Sequence, residues 1–218
     1  MSTTVSFFNS NKKQITEQQA FSLNNFSKHI HINNVLKKEE TYRDNNLWGG
    51  RYYLSPGEDV IQVLTALDPS LNWTILSNKQ IINNYTVWDC KFYTDLQQDA
   101  TYSRIVLNSG GNKIATITYD SITHEAKGGL KVFNYGNKHI PWGDPDDVFF
   151  EDSEIYFSFY DNGDIRTIFM NYDLFSNDSF WDSLDVFLKD AGDFFQKLGI
   201  TNEQLYYFTH VEPLVPNF

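Results

Sequence analysis

At 218 residues, with 41% hydrophobic and 21% charged side chains, the chain has the balance of a folded globular protein, long enough to bury a core unaided. Its single cysteine, Cys90, excludes an internal disulfide and a multi-cysteine zinc site. The net charge of −11 is concentrated late: residues 144–218 hold 16 Asp/Glu against 3 Lys/Arg, whereas residues 1–143 hold 12 against 14. Such an acidic region repels nucleic acid and anionic membrane, and favours a cationic partner.

The opening "MSTTVSFFNSNKKQ" lacks a basic start followed by an apolar core, and no window reaches 18 apolar residues. A cytoplasmic chain without signal or membrane span is the expectation. The first 50 residues read as polar and mixed, with one short helix at 16–26. Within them His29 and His31 alternate as a strand would, which can hold a metal but reads first as a surface pair. Asn is frequent and often doubled, as at Asn33-Asn34 and Asn83-Asn84. The doubling reads as a compositional habit.

"SPGEDVIQVLTALDP" is expected to form a helix at 56–67, capped by Ser55 with Glu58 completing a capping box. Asp68-Pro69 would end it. Strand patterns follow at 71–76, 84–94, 101–107, 113–120 and 130–136, and the 36 aromatic residues suit sheet packing. A turn-rich stretch at 137–147 marks a candidate internal boundary within one domain. Beyond it, "SEIYFSFYDNGDIRTIFMNYD" reads as a hairpin turning at Asn162-Gly163. A two-residue turn there needs positive φ at both positions. One hairpin face would hold Ile155, Phe157, Phe159, Ile168 and Met170. The other would show Glu154, Tyr156 and Tyr160.

The segment from Asn177 to Gly199 has helical apolar spacing (Phe180, Leu184, Phe187, Leu188, Phe195) and an acidic stripe opposite. A long C-terminal helix near 178–198 follows, with a short helix at 202–208. The expected class is α+β, a mostly antiparallel sheet with a helix at 56–67 and the long C-terminal helix near 178–198.

Chemistry-bearing motifs are weak. "DPDD" and "DNGD" lack the spacing of a calcium loop, and no P-loop, dinucleotide fingerprint or Gly-X-Ser-X-Gly occurs. Cys90 could meet His124, His139 or His210 only through the fold, and reads first as a core residue. Glu151, Asp152 and Glu154 could form an acid–base pair of a carboxylate-dependent hydrolase. The six acids within "GDPDDVFFEDSE" (143–154) instead suggest a recognition surface. Candidate partner-binding residues are Trp142, Asp144, Asp146, Asp147, Glu151, Asp152, Glu154, Tyr156, Asp182, Asp185 and Asp193. Carboxylates would steer encounter with a basic protein while aromatics anchor it.

The stretch "FYDNGDIRTIFMNYDLFSNDSFWDSLDVFLKDAG" (159–192) resembles the C-terminal part of the SUKH immunity proteins. A strand pair with a Gly-containing turn precedes an "SF" helix start, here Ser179-Phe180, and an "FL" pair, here Phe187-Leu188. The resemblance implies a bacterial, non-enzymatic inhibitor that neutralises a toxin domain and needs no cofactor or metal. A DNA-mimic or phage counter-defence role is the alternative binding function, with the helix stripe imitating phosphates.

Overall fold

A computed structural model of the chain describes residues 2–94, 97–98, 101–134, 154–171, 179–181, 183–189 and 199–218. The chain divides into two compact units, Met1–Lys79 with Trp88–Tyr102, and Gln80–Val87 with Ser103–Phe218. The candidate boundary at 137–147 lies outside the described residues.

Unit 1 is built on β1 (Thr3–Phe8), β2 (Gln14–Ile15), β3 (Asn25–Ile32), β4 (Val35–Arg43), β5 (Asn46–Tyr53), β8 (Gln97–Gln98) and the larger part of β6 (Asn72–Ile82) and β7 (Tyr85–Thr94), whose joined ends at 80–87 belong to unit 2. Strands run β2–β1–β3–β4–β5–β6–β7, with β8 on β7. The β3–β4 hairpin turns at Asn33-Asn34 (φ 50° and 63°), and β4–β5 turns at Asp44-Asn45 (48° and 61°). Two consecutive left-handed residues make a primed turn, whose twist matches that of the flanking strands. Asn and Asp tolerate this conformation because their short side chains bond locally. Asn83-Asn84 (49° and 67°) joins β6 to β7 in the same way.

Pairing of β5 with β6 is parallel, so the chain must cross over, and it does so through α2 (Val60–Ala66). Leu64 of α2 packs with Trp73, Ile75 and Tyr93, while Ala20 of α1 (Glu17–Ser22) packs with Phe7 and Phe26. Gly50 lies so close to its neighbour that a Cβ there would stand 2.0 Å from the Glu39 carbonyl oxygen. Only glycine permits that approach.

Unit 2 is built mainly on β9 (Thr101–Leu107), β10 (Lys113–Asp120), β11 (Ala126–Asn134), β12 (Glu154–Phe159), β13 (Ile165–Asn171) and β14 (Ser179–Trp181), paired in that order. One face carries Ile155, Phe157, Phe159 and Ile168, buried against Phe187, Tyr207 and Phe208. Phe187 belongs to α3, whose described residues are 184–189, and the other two to α4 (Asn202–Thr209). Four of the five residues expected on the hairpin core face thus lie on it, and the side chain of Met170 lies outside the described residues. The hairpin turn differs, because only Gly163 (φ 87°) is left-handed, Tyr160 N–H bonds Asp164 O, and the register shifts between Ser158 and Phe159. That is a longer loop with a bulge, not a two-residue primed turn.

The α+β expectation is overturned. The described chain is mainly β, a mixed sheet system with four short helices. The first expected helix forms only over Val60–Ala66. Glu58 accepts from the Ser55 N–H at 2.7 Å, which closes a turn, and Asp59 caps the helix by accepting from Gln62 N–H. The long helix near 178–198 does not form: Ser179–Trp181 pairs with β13, placing Phe180 opposite Phe169. Helix α3 begins after Ser183, whose carbonyl accepts from Phe187 N–H and whose hydroxyl accepts from Val186 N–H. Spacing of three to four between large apolar residues suits a helix, but Phe180 lies in a strand. The short helix expected at 202–208 is present as α4, with a complete Thr201–Gln204 capping box.

Candidate interaction surface

Of the residues expected to bind a partner, Glu154, Tyr156 and Asp185 are described; Trp142, Asp144, Asp146, Asp147, Glu151, Asp152, Asp182 and Asp193 lie outside the described residues. Alternation along β12 decides where the first two point. Ile155 and Phe157 face the helices, so Glu154 and Tyr156 face the other way. The Tyr156 hydroxyl donates to Glu154 Oε2, and its ring lies 5.4 Å from that of Phe169 on β13. Burial, and then the bond to Glu154, push the Tyr156 pKa up to about 12. This tyrosine is therefore a neutral donor across the physiological range, held by a carboxylate.

Asp185 is exposed on α3, within the helix layer that covers Ile155 and Phe157. It and the Glu154–Tyr156 pair therefore stand on opposite sides of the unit 2 sheet. The acidic stripe expected to run from residue 178 loses its beginning, since 179–181 is a strand. Further acid sits at the tip of the β12–β13 hairpin. Asp161 and Asp164 are exposed there, Asn162 Nδ2 donates to Asp164 Oδ2 at 2.6 Å, and Tyr160 is 53% exposed. The hairpin thus carries Glu154, Tyr156, Tyr160, Asp161 and Asp164 along one short ribbon. The string "DNGD" lacks the spacing of a calcium loop, and its two acids stand exposed at the hairpin tip instead.

Sequence reading missed a second polar assembly, in unit 1. His29, Glu39 and Arg51 are cross-strand neighbours on β3, β4 and β5. Glu39 accepts from Tyr53 Oη at 2.5 Å and from Arg51 Nη1 at 3.4 Å, and Tyr53 meets Trp88 edge-on at 5.4 Å. Burial, against the pull of Glu39, lowers the His29 pKa. With its carboxylate already engaged twice, Glu39 is a positioning group for these side chains rather than a ready base. Behind the same strands, Glu40 is buried between Lys38 at 2.7 Å and Lys28 at 3.5 Å. Burial opposes its ionisation, but those cations and Tyr42 prevail and lower its pKa.

The weaker chemical candidates disperse. Among the described residues no three His, Cys, Asp or Glu side chains converge as metal ligands would. His210 stacks on Tyr206 at 3.8 Å and contacts Thr209, Cys90 is half-buried on β7, and His139 lies outside the described residues. Among the described residues no helix is long and apolar enough to cross a membrane. No family model matches this sequence, and no curated protein or solved structure does.

Proposed function

We propose that this chain is a non-enzymatic, protein-binding inhibitor acting in the cytoplasm, and that its partner is a cationic protein such as a bacterial toxin domain. The observation that carries the reading is the β12–β13 hairpin, a ribbon of carboxylates and tyrosines in the region that holds 16 Asp/Glu against 3 Lys/Arg. Carboxylates on such a ribbon accelerate encounter with a basic surface, and tyrosines supply rigid contact area at low entropic cost. The ribbon would cover the cationic site of the toxin and exclude its substrate. The proposed contact is the ribbon and its Glu154–Tyr156 face, with Asp185 outside it.

The test is association of the purified chain with a basic toxin domain encoded beside it, followed at two ionic strengths. The reading expects a fast, salt-sensitive on-rate and loss of toxin activity at one-to-one stoichiometry. Binding with no salt dependence, or binding without inhibition, counts against it.

A further inference from the structure

The turn between β10 and β11 presents Ile122, which at 87% is the most exposed large apolar side chain among the described residues. Its backbone is held from one side chain. Asp120 Oδ1 accepts from the N–H groups of Ile122 and Thr123, both at 2.8 Å. The Asp120 N–H donates to Glu125 O and the His124 N–H to Asp120 O, each at 3.0 Å. Those bonds from Thr123 and Ile122 lower the Asp120 pKa, so the acceptor stays ionised. An apolar side chain on a turn ordered in advance gives up little freedom when a partner covers it.

The turn stands beside the tip of the acidic ribbon. Strand β11 runs antiparallel to β12 with Gly129 opposite Phe159, so the turn before β11 and the turn after β12 share one end of the unit 2 sheet. They approach closely: a Cβ on Gly128 would stand 2.7 Å from Phe159 O and 3.4 Å from the Tyr160 carbonyl. The segment after α4 touches both turns. Tyr119 Oη, at the end of β10, donates to Glu212 Oε1 at 2.8 Å, and a Cβ on Gly163 would lie 3.1 Å from Val211 Cγ1. Segments 120–128, 160–166 and 210–213 together hold five Asp/Glu against two Lys/Arg. One end of unit 2 thus joins a fixed apolar knob to the half-exposed Tyr160 and a surplus of carboxylates.

We propose that Ile122 is the apolar anchor of the inhibitory interface, seated in an apolar pocket of the basic partner protein while the surrounding carboxylates face that protein's cations. The anchor belongs to the same interface as the ribbon and rests on the inhibitor reading. Its charge balance suits a basic surface and disfavours a second copy of this acidic chain. The two parts act on different rates. Carboxylates govern encounter, whereas a side chain desolvated at the centre of a contact governs how long the complex lasts.

The experiment measures association and dissociation of the full chain with the basic toxin domain encoded beside it, at two ionic strengths. Ile122→Ser, at an exposed position, should raise the off-rate about tenfold or more. Its on-rate, and the salt dependence of that rate, should stay within about twofold of the wild type. Ile81→Ser serves as the control, since Ile81 is 65% exposed on the hairpin of β6 and β7, and should change neither rate. An off-rate unchanged in Ile122→Ser, or raised as much in Ile81→Ser, overturns the anchor and leaves the ribbon standing. Absence of any association by the wild type overturns both.

Discussion

The ammonium of Lys131, a fully buried residue on β11, donates to the Tyr207 carbonyl at 2.8 Å, and the Tyr207 ring lies 3.8 Å from the same nitrogen. It also donates to the carbonyls of His210 and Pro213, each at 2.7 Å. One side chain thus ties the end of α4 and the following residues to the unit 2 sheet. The Tyr207 hydroxyl reinforces this by donating to Leu214 O at 3.0 Å, and Asn83 Nδ2 donates to Pro216 O. Replacing Lys131 by Met leaves three carbonyls without their donor. Unfolding in urea should show a loss of about 3 kcal/mol or more, since buried unsatisfied acceptors cost about 1–3 kcal/mol each.

Lys131 also sets a pH dependence. Burial pushes its pKa down to about 7, partly opposed by Glu212, against 10.5 in the unfolded chain. Between those values the unfolded chain binds more protons than the folded one, so stability rises with pH across that window. Below about 7 the lysine is charged in both states and contributes no slope. Denaturant midpoints of the wild type minus those of Lys131→Met should therefore climb from pH 7 to 10, and a flat difference would refute the assignment.

The doubled Asn residues carry a third prediction. Asn84→Ala should cost about 1 kcal/mol, because alanine is penalised in the left-handed conformation that Asn84 adopts. Asn84→Gly should be neutral or stabilising, and Asn34 and Asn45 should behave alike. Thermal melting distinguishes these outcomes from a purely compositional role, in which alanine and glycine would behave similarly.

For α2 the cap has moved from the expected Ser55 to Asp59. Asp59→Ala should cost about 1 kcal/mol, as loss of an N-cap does. The Ser55 hydroxyl, which accepts from Lys37 Nζ at 2.7 Å and is exposed, should matter less. Equal losses in the two variants would contradict the observed cap.

Much of the β framework was legible where one face packs and the other does not. Strands from residue 72 to 120 and the β12–β13 core face follow from alternation. Beyond the alternation of His29 and His31, the strands β3 to β5 were not legible, because the face that meets the helices carries Lys28, Lys38 and Glu40, and their ion pairs interrupt the apolar alternation. The signal that could have found them was the turn chemistry: Asn33-Asn34 and Asp44-Asn45 sit between those strands as primed turns do. The expected long helix failed because 3–4 spacing among Phe180, Leu184 and Phe187 cannot distinguish one helix from a strand followed by a shorter helix. Of the candidate site, the alternation along β12 correctly sent Tyr156 away from the core. No one-dimensional pattern could have told that α3 would carry Asp185 to the other side of the sheet.

Tyr156 and Glu154 provide a local check on the surface itself. Glu154→Gln should bring the Tyr156 ionisation down from about 12 towards the ordinary tyrosine value, part of the shift persisting through burial. Ultraviolet titration against a Tyr156→Phe reference reads this directly.

The decisive measurement compares two sets of charge-removing variants for association with the cationic toxin domain. One set is the ribbon triple Glu154→Gln/Asp161→Asn/Asp164→Asn; the other is the helix-layer double Asp185→Asn/Glu203→Gln, Glu203 being exposed in the first turn of α4. The ribbon triple should slow association about tenfold and flatten its salt dependence, while the helix-layer double changes it less than about twofold. If the helix-layer double slows association as much as the ribbon triple, or the ribbon triple leaves it unchanged, recognition through the β12–β13 hairpin is wrong.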